Sequence, residues 1–162
     1  MTIIKAWLAA GLLCANGLVV ADEFKCVHEQ ETAPPLNQQA EQWFQQGRSI
    51  SKEQPANWAE VARLYQQAVE KNHWKAMHNL AELYLRGDGV AKDTNRAVDL
   101  YMEMVKLQVP LGYYDMSVMT QRGIGVVQSE KDATMFLLKA GDMGSPLAQS
   151  RLGSIYIYEL KR

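Results

Sequence analysis

Cysteine is almost missing from this chain, with only Cys14 and Cys26 among 162 residues. So small a number cannot staple a fold of this length, and burial of apolar surface must hold it together. Charge of one sign is equally scarce: 17 Lys plus Arg against 18 Asp plus Glu leave a formal charge of −1. That balance gives no reason to expect a nucleic-acid or anionic-membrane partner, since either favours a clustered basic face. Apolar residues form no run of bilayer length. The stretch Ala6 to Ala15 is short for a span and is interrupted by Asn16 and Gly17. What is present is an ordinary globular composition, 48% hydrophobic, sufficient for one domain with a sizeable core.

The short apolar stretch has the layout of a signal peptide. Met1 to Lys5 supplies one positive charge, Ala6 to Ala15 the apolar centre, and Val19-Val20-Ala21 a small-residue cleavage site, with the polar chain beginning at Asp22. A lipoprotein site at Cys14 is disfavoured, because Leu13 stands where a small residue is needed. Cleavage after Ala21 removes Lys5, leaving 16 positive against 18 negative residues and a formal charge of −2. The destination expected from so compact a leader is the Gram-negative periplasm. Residues 22–35 read as a flexible polar tail ending in Ala33-Pro34-Pro35. Its Cys26 is either a spare thiol or a site for an intermolecular disulfide.

Self-similarity organises the rest. Gly87-Asp88-Gly89-Val90 returns as Gly123-Ile124-Gly125-Val126, an offset of 36. The same offset relates Ala40, Ala76, Gly112 and Ala148, and also Phe44, Leu80, Met116 and Leu152. It relates Val61, Ala97 and Ala133, and Tyr65, Tyr101 and Leu137. Small residues fall on small and large on large, which predicts a repeating pair of amphipathic helices. Asn57, Asp93 and Ser129 recur in frame as N-caps of the second helices. Asn72 and Gly144 stop helices with residues that tolerate positive φ, and Pro110 and Pro146 mark helix starts. The predicted helices cover about 37–48, 57–71, 74–86, 93–107, 111–122, 129–142 and 146–159. Ile155 to Tyr158 is strand-like in isolation, but its register with Leu83 to Arg86 predicts helix.

The segment Ala76-Met77-His78-Asn79-Leu80-Ala81-Glu82-Leu83-Tyr84-Leu85-Arg86-Gly87-Asp88-Gly89-Val90, followed by Asp93, Ala97 and Tyr101, resembles the Sel1-like repeat, a relative of the tetratricopeptide repeat. The likeness recurs in Gly123 to Val126, Ala133, Lys139-Ala140, Gly144, Ala148 and Leu152 to Tyr156. The middle unit departs from it: Met104 replaces a small residue, while Gln108 and Gly112 stand where Gly and Ala are usual. The resemblance implies an all-α, right-handed α-solenoid over residues 36–162, with about three 36-residue repeats and an N-terminal capping helix near 36–56 that lacks the Gly-x-Gly-Val turn. It also implies protein binding on a concave face. The exposed positions of the first helices would form that face, among them Lys75, Leu111, Leu147, Ser150 and Ser154. The partner-binding candidates are His78, Asn79, Glu82, Arg86, Tyr114, Asp115, Val118, Arg122, Arg151 and Tyr158, since Tyr and Arg combine area with polar ends. For each of them alone, an ordinary solvated helix face is the competing explanation.

Catalytic and cofactor signatures do not emerge. Three histidines, His28, His73 and His78, offer no metal pair at i,i+3 or i,i+4, so neither metal nor cofactor is expected. The Gly-x-Gly turns lack the third glycine and preceding strand of a dinucleotide loop, and no serine sits in a Gly-x-Ser-x-Gly turn. Methionines such as Met102, Met104, Met116, Met119, Met135 and Met143 read mainly as core, with an adaptable Met-lined groove as the alternative. By family, size and address the chain is similar to periplasmic immunity proteins that accompany type VI secretion toxins, notably phospholipase-type effectors. A general envelope scaffold is the alternative. An enzyme is disfavoured, because the paired cysteines of the disulfide-rich secreted Sel1-like proteins are missing.

Overall fold

The computed structural model of the protein describes residues 33–160, leaving aside the side chains of 158–160. The expected leader 1–21, both cysteines, His28 and most of the expected tail 22–35 lie outside the described residues. Seven helices follow in order: α1 Gln38–Ile50, α2 Trp58–Val69, α3 Trp74–Arg86, α4 Thr94–Lys106, α5 Pro110–Arg122, α6 Glu130–Asp142 and α7 Pro146–Leu160. No strand occurs among the described residues. The expected helices are all found, with ends shifted by a residue or two, and Ile155 to Tyr158 is helical. Each helix packs on its neighbours in sequence, and α5 also touches α7. The fold is therefore an α-solenoid, stabilised by contacts between adjacent units rather than by one central core.

Local chemistry explains the helix boundaries. Asn57 accepts from the Glu60 amide, Asp93 from those of Asn95 and Arg96, and Ser129 from that of Asp132. Each satisfies an orphan donor of the first turn. The stops are equally periodic: Asn72, Gln108 and Gly144, spaced by 36, all have positive φ. After each, a backbone bond closes the link to the next first helix, His73 to Ala68, Val109 to Met104 and Ser145 to Ala140, at 3.2, 2.9 and 3.0 Å. Gln108 therefore occupies the left-handed region that a glycine or asparagine would hold more cheaply. Its amide compensates in part by donating to the Tyr113 hydroxyl at 2.9 Å.

The unusual middle unit becomes intelligible where α4 meets α5. Ala68 and Ala140, the counterparts of Met104, are fully buried, as are Ala76 and Ala148, the counterparts of Gly112. In the middle unit the large residue stands on α4 and the small one on α5. A Cβ at Gly112 would come within 2.5 Å of Met104 Cβ and 3.0 Å of its backbone carbon. Gly112 is small because the Cβ and backbone at the end of α4 come so close to it. Gly112→Ala is expected to cost about 1–3 kcal/mol by overpacking, and Met104→Ala does not relieve that cost, because alanine keeps the Cβ and backbone atoms that the new methyl meets. Denaturant unfolding of the parent, the two single variants and the double variant measures this, and a double variant much less destabilised than the sum of the singles would contradict it.

Candidate functional site

The first helices of successive pairs, α1, α3, α5 and α7, are joined by side-chain contacts that skip the intervening helix. Glu41 on α1 bonds His73, just before α3, at 2.9 Å. His78 on α3 bonds Asp115 on α5 at 2.8 Å. Arg151 on α7 bonds Gln121 on α5. The exposed positions of these helices therefore line one common face, because a helix face repeats every three to four residues and the units stack in register.

At its centre lies a polar cluster. The Tyr101 hydroxyl donates to Glu82 Oε1 at 2.8 Å, and the His78 and Tyr101 rings lie 6.0 Å apart. Arg86 approaches Glu82 at 3.9 Å and bonds Asp88 at 2.8 Å. Burial pushes the Tyr101 phenol well above its ordinary value, and the Asp115 and Glu82 carboxylates push it further. The phenol thus remains a donor. Burial also raises the Asp115 carboxyl; the His78 hydrogen bond and charge pull it back, and Glu82 raises it again. Asp115 is only 8% exposed, so it orients His78 from beneath while His78 and Glu82 reach the surface.

The sign of that shift makes a prediction. A carboxyl whose folded value lies above its unfolded value of 3.8 destabilises the fold increasingly as pH rises through that window. Asp115→Asn keeps an acceptor for His78 and removes the charge. Its stability relative to the parent is expected to improve between about pH 4 and about pH 7. Thermal melts at the two pH values measure this, and a relative loss at the higher pH would show the ion pair to be net stabilising.

The structure brings His78, Glu82, Arg86 and Asp115 together. Asn79 lies beside them, donating to the Tyr65 hydroxyl at 3.3 Å. Tyr114 and Val118 are half-buried and Arg122 is exposed, all on α5. Arg151 is tied to Gln121, and the Tyr158 side chain lies outside the described residues. Two further contributors carry no clear signal in the sequence. The period places Tyr101 in the core, where it is buried, but does not show that its hydroxyl bonds Glu82 from beneath this face. His73 is the fully buried N-cap of α3, accepting from the Ala76 amide through Nδ1 at 3.1 Å. Its frame position opposite Ser145, another cap, was the available signal. No cluster able to hold a metal occurs among the described residues.

A Sel1 repeat model matches residues 74–101, 110–145 and 146–160. The chain belongs to the Sel1-repeat family. Among solved structures this Sel1-repeat chain is similar to immunity protein Pa5087 from Pseudomonas aeruginosa, with 41% identity, a TM-score of 0.72, and coverage of 85% of this chain and 53% of that one. Pseudomonas aeruginosa 5086 (PA5086) gives 42% identity and 0.72, covering 87% and 55%. Immunity protein PA5088 from the same organism gives 42% and 0.69, covering 85% and 52%. The chain thus spans about half the length of these proteins. No curated protein sequence matches it. No described helix is long and apolar enough to cross a membrane.

Proposed function

We propose that this Sel1-repeat protein is an immunity protein, which binds a secreted toxin and neutralises it. The observation that carries the reading is the 41–42% identity, over 85–87% of this chain, to structures that include two named immunity proteins. The shared face of the first helices is the surface proposed to grip the toxin, with His78, Asn79, Glu82, Arg86, Tyr114, Val118, Arg122, Arg151 and Tyr158 as contact positions. Asp115 serves from below by positioning His78. A stacked helical array suits this task, because its side-chain face is long, preformed and loses little freedom on binding.

The finer reading is that the toxin is a phospholipase-type effector of type VI secretion, met in the periplasm after removal of residues 1–21. The leader-like N-terminus and the family resemblance support it. The experiment is co-expression of the full chain with a periplasm-directed effector encoded beside its gene. Restored growth and a co-purifying complex are expected, with Tyr114→Ala and Arg122→Ala weakening both. Absence of protection together with absence of a complex would remove the reading. Several unrelated partners recovered from periplasm, with no protection, would favour a general scaffold instead.

A further inference from the structure

Between α1, α3 and α5, beside the polar cluster, lies an open groove of about 370 Å³. Phe44, Trp74 and Leu111, one from each of these helices, give it apolar walls. Arg48 and Lys75 also line it, and no carboxylate does. Each of these cations lies near an aromatic ring: the Arg48 guanidinium is 5.8 Å from the Phe44 centroid and the Lys75 ammonium 5.3 Å from that of Trp74. Neither makes an ion pair among the described residues. Glu41 feels the Lys75 charge but is already bonded to Gln45 at 2.6 Å and to His73 at 2.9 Å.

We infer that this groove receives a segment of the partner protein that carries a carboxylate side chain beside an apolar or aromatic one. The inference rests on the protein-binding reading above and specifies the chemistry of the guest. Charge complementarity decides it: two cations held against apolar walls in a chain of net charge −1 make a local exception that an anionic group would complete. Phe44 and Trp74 are themselves mostly buried, so the walls present a narrow apolar strip with half-buried Leu111, enough for the edge of one apolar side chain, and Asn79 and Gln45 supply polar edges for its backbone. An anionic lipid surface is a poorer match, because exposed Arg48 and half-buried Lys75 flank a groove between helices rather than a projecting apolar face.

The test uses the full chain and two short probes, N-acetyl-Leu-Asp-Phe-amide and its Asn counterpart, followed by NMR of the Trp74 indole N–H and neighbouring amides. The acidic peptide is expected to bind about fivefold more tightly than the neutral one, and Arg48→Glu with Lys75→Glu to abolish that preference. Arg48→Gln with Lys75→Gln serves as the second variant if charge reversal lowers helicity. Equal binding of the two peptides, perturbation confined to other helices, or tighter binding to phosphatidylglycerol vesicles that the variants abolish would overturn the inference. In the co-expression assay, failure of the parent chain to protect defeats the immunity reading and leaves the peptide result to judge the groove. Full protection by a folded charge-reversed variant defeats the groove and leaves the immunity reading standing.

Discussion

Gly89→Ala is expected to lower stability by about 3 kcal/mol, while the equivalent Gly125→Ala loses clearly less. Both are the second glycine of the Gly-x-Gly-Val turn, and both have positive φ, +70° and +68°. A side chain in the left-handed region costs about 1–2 kcal/mol at either site. The difference lies in what the turn touches. A Cβ on Gly89 would fall 2.2 Å from the backbone carbon and oxygen of Trp58, at the start of α2. Backbone anchored in a capped first turn cannot retreat, so overpacking adds about 1–3 kcal/mol. On Gly125 the nearest obstacle is Val98 Cγ2 at 2.9 Å, with the Thr94 carbonyl at 3.1 Å. A side-chain methyl yields more readily than a helix backbone. Thermal melting should separate the variants, with Gly89→Ala lowered by on the order of 10 °C. Equal losses at the two sites would mean that the turn conformation, not its seat on the preceding helix, sets the cost.

The second large effect is expected at His73. Its ring is fully buried, stacks 4.7 Å from Phe44, caps α3 through Nδ1 and reaches Glu41 through Nε2. Since Nδ1 accepts from a backbone amide, the proton must sit on Nε2, facing the carboxylate. His73→Ala removes a cap worth about 1 kcal/mol and leaves a cavity costing about 2 kcal/mol more. His73→Asn should recover most of the cap and none of the ring packing, and so fall between the two. Denaturant titration of the three proteins measures the split, and an Ala variant within 1 kcal/mol of the parent would refute it. Glu41, held below the usual carboxylate range first by the Gln45 hydrogen bond and then by His73, contributes stability present above 4.5 and lost as pH falls through its folded value.

The face proposed for binding was legible in outline and not in its divisions. The period of 36 distinguishes core from surface positions, and so it placed His78, Glu82, Arg86 and Asp115 outside the core. It could not tell that Asp115 is nearly covered, because what covers it belongs to other helices. Nor could it rank Arg48 and Lys75, whose significance arises only when α1, α3 and α5 converge on Phe44, Trp74 and Leu111.

By itself the chain's order of residues determined seven helices, the caps of the second helices, the stops at Asn72 and Gly144, and the pairing of helices into stacked units. Those features are local: a cap side chain reaches an amide two or three residues away, and a 36-residue period imposes the same packing on each unit. Only the tertiary structure decided that Gly112 abuts the Cβ and backbone of Met104, that Gly89 is seated on a helix backbone, and that His73 is a buried cap. It alone brought the two unpaired cations together beside apolar walls. Distances of a few ångström between residues 8 to 37 positions apart settle these matters, and sequence spacing does not report them until the helices have packed.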